Sequence, residues 1–164
     1  MDLSKFTLED LFFTAIKAEI DSREAYSIMA GITHNAFLKD RFRFLAEEEK
    51  KHRALLESEF HKQLPANKLI LPKISPVPLP EIILDGDRMP MSKLIQQAMD
   101  AEMAAYDFYT EFALYVSASK EFSVVLGYFA RMEQSHYQIL KQELVAAEEF
   151  EAFDDFNPGM HLGP

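Results

Sequence analysis

Glu49-Lys-Lys-His52 and Glu133-Gln-Ser-His136 repeat one spacing, a carboxylate followed three residues later by an imidazole. An Ala-Glu pair stands about thirty residues upstream of each, Ala18-Glu19 and Ala101-Glu102. Residues i and i+3 of a helix share a face, so each Glu-x-x-His can offer both donors to one metal pair. Carboxylate and neutral imidazole without thiolate suit iron and manganese, and zinc accepts the same donors. Four carboxylates also balance the charge of two divalent ions. Glu19, Glu49, His52, Glu102, Glu133 and His136 are therefore the candidate ligands of a two-metal site. A single Glu-x-x-His on an exposed helix is usually a solvated pair. Two copies, each with its own upstream Glu, make a stronger signal. Glu47 and Glu48 read as part of a solvated charge run.

The elements that must position these residues are marked out by proline. The eight prolines stand at 65, 72, 76, 78, 80, 90, 158 and 164, so residues 1–64 and 91–157 are free of them. Proline interrupts helix interiors, which makes the two free blocks helical and the stretch between them extended. Each block has a break near its centre, Gly31-Ile-Thr-His-Asn35 and Ser117-Ala-Ser-Lys120. The expectation is all-α, with four helices over 8–31, 36–62, 91–116 and 120–148. Thr7 with Asp10 three residues on has the form of an N-cap. Apolar residues recur at helical spacing in all four: Phe12, Ala15, Ala18, Ala25, Tyr26 and Met29 in the first; Phe42, Leu45, Ala46, Leu56 and Phe60 in the second; Ile95, Ala98, Met99, Ala105, Tyr106, Tyr109 and Phe112 in the third; Leu126, Phe129, Ala130, Tyr137, Leu140 and Leu144 in the fourth. All six candidate ligands fall on these apolar faces. An unpaired buried carboxylate costs several kcal/mol, so something must compensate for four of them.

The heights agree. Residues equidistant from the turn of an antiparallel hairpin lie level. The midpoint of 19 and 49 is 34, inside the first break, and that of 102 and 133 is 117.5, inside the second. The halves also repeat one another. Ala15, Ala18, Glu19, Tyr26 and Ala30 match Ala98, Ala101, Glu102, Tyr109 and Ala113 at an offset of 83. Ala46, Glu49, His52 and Leu56 match Ala130, Glu133, His136 and Leu140 at an offset of 84. Two antiparallel helical hairpins are joined by a long crossover, residues 63–90, which runs back along the bundle and leaves the second and third helices parallel. Residues 1–148 form the bundle. Residues 149–164, aromatic and acidic, form a tail outside the helical pattern that is either free or docked on another subunit.

Composition narrows the function classes. The chain has 164 residues, one domain's length, and no cysteine, which excludes disulfides, thiolate metal sites and a cysteine nucleophile. A net charge of −10 without a basic stripe argues against nucleic acid. No apolar run approaches the ~20 residues that span a bilayer, and the N-terminus lacks a secretory pattern, so a cytoplasmic protein without membrane association is expected. Tyr26 and Tyr109 lie two turns from a ligand on the same face, placed either to hydrogen-bond a ligand carboxylate or to pack in the core. Gly127 is expected to let a neighbouring helix approach closely. His34, His61 and His161 read as surface residues, and Met29, Met99 and Met132 as core filling.

The doubled motif resembles the ferritin-like di-iron carboxylate superfamily and, within it, the rubrerythrin family. The resemblance covers both helical blocks. Glu48-Glu49-Lys-Lys-His52 has a form common in rubrerythrins, and Tyr26 stands where that family has a tyrosine near the iron. The resemblance implies a ferritin-like four-helix bundle holding two iron ions, with manganese or zinc as alternatives. It implies that Glu49 and Glu133 bridge the metals, that Glu19 and Glu102 are terminal, and that each metal takes one histidine. It further implies an oxidoreductase reacting with hydrogen peroxide or dioxygen, in the manner of a peroxide scavenger. A separate electron donor and a homodimer go with that reading. Two departures stand against it. Met99 occupies the position where rubrerythrins usually carry an extra carboxylate, and a Cys-free chain holds no rubredoxin domain. Met99 moves the reading toward the symmetric sites of ferritins, so a ferroxidase that handles iron remains an alternative. A non-enzymatic, metal-binding helical module is the other.

Overall fold

Thr7 starts the first helix through a reciprocal pair of bonds. Its hydroxyl accepts the Asp10 N–H at 3.1 Å, and the Asp10 carboxylate accepts the Thr7 N–H at 3.0 Å, which satisfies two donors that a helix start would otherwise leave free. This computed structural model describes residues 1–83 and 89–156. Four helices follow in order, α1 (Leu8–Ile32), α2 (Ala36–Gln63), α3 (Met91–Tyr115) and α4 (Lys120–Phe156), with no strand among the described residues. The first break lies just past Gly31. Thr33 ends α1, and the Asn35 side chain accepts the N–H groups of Phe37 and Leu38 to start α2.

The helices form a four-helix bundle in which α1 pairs closely with α2 and α3 with α4. The two hairpins meet across α1–α3 and α2–α4, and side-chain bonds show how those helices run. Tyr115, at the end of α3, donates to the Phe6 carbonyl just before α1 at 3.1 Å. Arg41, early in α2, pairs with Glu143, late in α4, at 3.1 Å. Helices of both pairs are therefore antiparallel, which leaves α2 and α3 parallel as expected.

The crossover makes that arrangement possible. Asn67 bonds Glu9 at 2.9 Å, the Val77 N–H donates to the Thr14 hydroxyl at 3.1 Å, and the Ile83 N–H donates to Gln97 at 2.7 Å. The segment thus climbs over the α1–α3 seam. Val77 is buried, and Leu69, Leu71 and Leu79 pack against the core beside it.

Two expectations need correction. α4 runs to Phe156 rather than ending at 148. The reason lies in α3, whose N-cap is Pro90 and makes no side-chain cap. Glu151 supplies it from α4, accepting the Ser92 N–H at 3.0 Å and the Ser92 hydroxyl at 2.5 Å. The first part of the expected tail is therefore helix, and 157–164 lie outside the described residues. Gly127 does not mediate a close approach. A Cβ there would meet only the Arg131 side chain, at 3.8 Å. The buried arc is also broader than the apolar stripes. Leu11, Ile16, Phe108 and Phe122 are buried too, while Ala18, Ala105, Tyr106, Tyr137 and Leu144 are only partly so, because each helix packs on two neighbours. His34 and His61 are exposed, and His161 lies outside the described residues.

Thr14 is the buried acceptor that holds the crossover down. Thr14→Val leaves the Val77 N–H without a partner and should lower unfolding stability by roughly 1–3 kcal/mol in a denaturant titration.

Candidate metal centre

The core consists of two apolar clusters with a polar layer between them. Phe12, Phe60, Phe112 and Phe122 belong to the cluster at the α1 N-terminal end, and Met29, Phe42, Leu94 and Leu140 to the other. All six candidate ligands lie in the layer between, with exposures from 1% (Glu49, His136) to 4% (His52).

The geometry divides these donors into two sets. Glu49 places Oε2 3.1 Å from His52 Nδ1 and Oε1 3.1 Å from His136 Nδ1. Glu133 places Oε1 3.2 Å from His52 Nδ1 and Oε2 3.5 Å from His136 Nδ1. Each of these two carboxylates faces both imidazoles. Glu19 Oε2 lies 3.4 Å from His52 Nδ1, and Glu102 Oε2 lies 3.6 Å from His136 Nδ1. The imidazole rings stack 5.3 Å apart. Donor atoms of Glu49, His52, Glu133 and His136 all fall within 4.8 Å of one another.

Close as they are, five of these inward atoms are buried with no hydrogen-bond partner: both Glu49 oxygens, Glu133 Oε1 and the two Nδ1 atoms. A buried polar atom left unsatisfied costs about 1–3 kcal/mol. Donors that converge on shared points without bonding one another are arranged to hold cations, and their type and number fit a pair of them.

Tyr26 and Tyr109 tie the layer together crosswise. Tyr26 of α1 donates to Glu102 Oε1 of α3, and Tyr109 of α3 donates to Glu19 Oε1 of α1. Both pairs have the midpoint 64, as level positions on antiparallel helices must. Of the two placements open to these tyrosines both are seen: each ring is buried in the core and each hydroxyl reaches the carboxylate of the opposite helix. Each outer Glu thus turns one oxygen to a tyrosine and the other to a histidine.

The electrostatics follow from burial and crowding. Burial, then the neighbouring charge of Glu133, raises the Glu19 carboxyl well above the usual range; burial and the Glu49 charge do the same to Glu102. Burial also acts to raise Glu49 and Glu133. For both, the close imidazoles outweigh it and hold them low. Burial opposes charge on His52, but Glu133, Glu19 and Glu49 prevail and push it up to about 12. His136 is raised likewise by Glu102, Glu133 and Glu49 against its burial. Without a cation these shifts favour protons on Glu19, Glu102, His52 and His136 and the ionised form of Glu49 and Glu133 within the layer. With two divalent ions it is neutral as four carboxylates and two neutral imidazoles.

A four-helix bundle with a buried carboxylate–imidazole cage between two hairpins defines the ferritin-like class of carboxylate metal proteins. The chain belongs to the rubrerythrin family, whose sequence profile matches residues 10–144. A solved structure of a hypothetical protein from Pyrococcus furiosus is similar, with 33% identity, a TM-score of 0.81, and coverage of 91% of this chain and 95% of that one. Comparison with curated proteins gives no match. No helix among the described residues is long and apolar enough to cross a membrane.

Two features of the centre were not read from the sequence. The crossed tyrosine pairing could have been, since equal midpoints follow once α1 and α3 are known to be antiparallel neighbours. The role of Phe129 could not. It read as core filling, yet its ring stands edge-on to His52 at 5.3 Å and stacks on Tyr109 at 5.1 Å.

Loading two divalent ions should release protons from Glu19, Glu102, His52 and His136, whose protonated forms the shifts favour. Calorimetry in buffers of different ionisation enthalpy measures this. Affinity should therefore rise with pH. Tyr26→Phe should weaken the site by roughly 10–100-fold, read as metal affinity, because Glu102 loses the bond that orients it.

Proposed function

We propose that this protein is a di-iron oxidoreductase that reduces hydrogen peroxide, with electrons drawn from a separate donor. The observation that carries this reading is the division of the six donors. Glu49 and Glu133 each face both histidines, while Glu19 faces His52 and Glu102 faces His136. In this reading Glu49 and Glu133 would be shared by two iron ions, Glu19 and His52 would hold one, and Glu102 and His136 would hold the other. Two iron ions there supply the two electrons that peroxide reduction consumes. The chain supplies the rest. Four carboxylates neutralise the ions, the two tyrosines hold the outer carboxylates in place, and the apolar clusters above and below keep bulk water out. Ala18 and Ala101, next in sequence to the outer carboxylates, line a pocket beneath the crossover together with Lys17, Asp21 and Glu81.

A second reading, a ferroxidase that handles iron, is favoured by one residue. Met99 is 4% exposed and packs in the apolar cluster. With no carboxylate three residues before Glu102, the two donor sets stay alike, which is where the sequence leans toward the symmetric sites of ferritins. Assembly bears on the choice. We take a homodimer as the working assembly, and a dimer cannot enclose a mineral core.

Anaerobic loading with iron(II) followed by stopped-flow mixing tests both readings. Peroxide should oxidise the loaded protein faster than dioxygen does, and light scattering should show a dimer. Faster oxidation by dioxygen in a many-subunit shell would establish the ferroxidase reading instead. Glu49→Ala should load fewer than two metals per chain by metal analysis. Retention of two would refute the bridging role.

A further inference from the structure

Phe129 connects the centre with the protein surface. It touches His52 and Tyr109 in the core, and the next residue, Tyr128, stands with its ring 6.3 Å from that of Phe129. Tyr128 is 46% exposed. Two phenols are thus separated by one aromatic ring. One is hydrogen-bonded to Glu19, itself a candidate ligand, and the other meets solvent.

The internal repeat provides a comparison. At the offset of 84, Phe129 corresponds to Leu45 and Tyr128 to Phe44. On that side Tyr26 stacks on Phe42 at 6.4 Å, and the part-exposed residue is Phe44, which has no hydroxyl. One half of the bundle therefore carries an oxidisable phenol at both the core and the surface end, and the other half does not. A phenol loses one electron far more readily than a phenyl ring, so Tyr109 and Tyr128 can each host an oxidising equivalent while Phe129 serves only as the bridge.

We propose, building on the peroxide-reducing reading above, that Tyr109 and Tyr128, bridged by Phe129, carry a surplus oxidising equivalent from the centre to the surface. Reduction of hydrogen peroxide to two waters takes two electrons and two protons. When the centre can provide only one electron, Tyr109 provides the second and passes its phenolic proton to Glu19 Oε1, becoming a neutral phenoxyl radical, while the two protons that peroxide takes up come from solvent. Tyr128 then gives one electron across Phe129 and releases its proton to solvent. Tyr109 recovers its proton from Glu19. A small thiol or an ascorbate-type reductant in solution returns one electron and one proton to Tyr128. The oxidising equivalent leaves the core without attacking the buried ligands.

The test loads the full chain with iron(II), withdraws one electron per centre with ferricyanide, adds hydrogen peroxide with a nitroso radical trap and no reductant, and maps adducts by peptide mass spectrometry. Tyr115, 42% exposed, is the internal reference for non-specific surface attack. The adduct should favour Tyr128 over Tyr115. Phe129→Leu removes the bridge and leaves both phenols. Tyr109→Phe keeps the ring and removes the hydroxyl. Both should bring Tyr128 labelling, expressed per iron bound, down to the Tyr115 level. Tyr128→Phe, a surface change, should prolong the tyrosyl radical seen by electron paramagnetic resonance. Equal labelling of Tyr128 and Tyr115 in the native chain, undiminished Tyr128 labelling in both core variants, or an unchanged radical lifetime overturns the route. Absence of peroxide consumption by the native chain overturns the functional reading on which it rests, and the route with it.

Discussion

Four carboxylates in the interior of a helical bundle are the constraint on which the rest of the structure depends. Each ionised carboxylate placed among apolar side chains carries a large desolvation cost, and four together repel one another. The fold answers with two imidazoles aimed between them and a layered core that concentrates the polar groups at one level. Neutrality is reachable in two ways, by protons on Glu19, Glu102 and the histidines or by two divalent cations. The same side chains serve both states. The layer can therefore exchange one form of compensation for the other while the apolar clusters on either side remain packed.

That layer works only if residues far apart in sequence lie level. Antiparallel pairing within each hairpin sets each lone Glu beside its Glu-x-x-His. Antiparallel pairing across α1–α3 sets each tyrosine beside the opposite Glu. The second condition needs α2 and α3 to run parallel, so the chain must traverse the bundle between them. The crossover performs that traverse, and its bonds to Glu9, Thr14 and Gln97 keep it on the α1–α3 face. The tyrosine bonds are thus a consequence of topology. A short turn between α2 and α3 would reverse α3 and break the shared midpoint.

Duplication supplies a nearly symmetric cage, and the surroundings break the symmetry. The crossover covers one seam between the hairpins. Phenylalanines dominate the apolar cluster on one side of the layer, and aliphatic residues are more prominent on the other. Tyr109 consequently stacks on a ring that also touches His52, whereas Tyr26 stacks on Phe42. The two matched sets of candidate ligands then differ in their connection to the surface. Met99 acts in the opposite direction, because an apolar residue there leaves the donor sets alike.

The sequence by itself determined the helix count, the two hairpins and the level of the six candidate ligands. Those follow from local rules: proline placement, capping at Thr7, helical periodicity and distance from a turn. It also marked Tyr26 and Tyr109 as residues of the ligand face. Only the tertiary structure decided which carboxylate each tyrosine meets, that Glu151 caps α3 and so extends α4, that no neighbouring helix presses on Gly127, and that Phe129 lies between His52 and Tyr109. Each of these depends on how helices rotate and register against partners distant in the chain. Periodicity identifies a buried face, but the residue it meets is set by packing among all four helices at once.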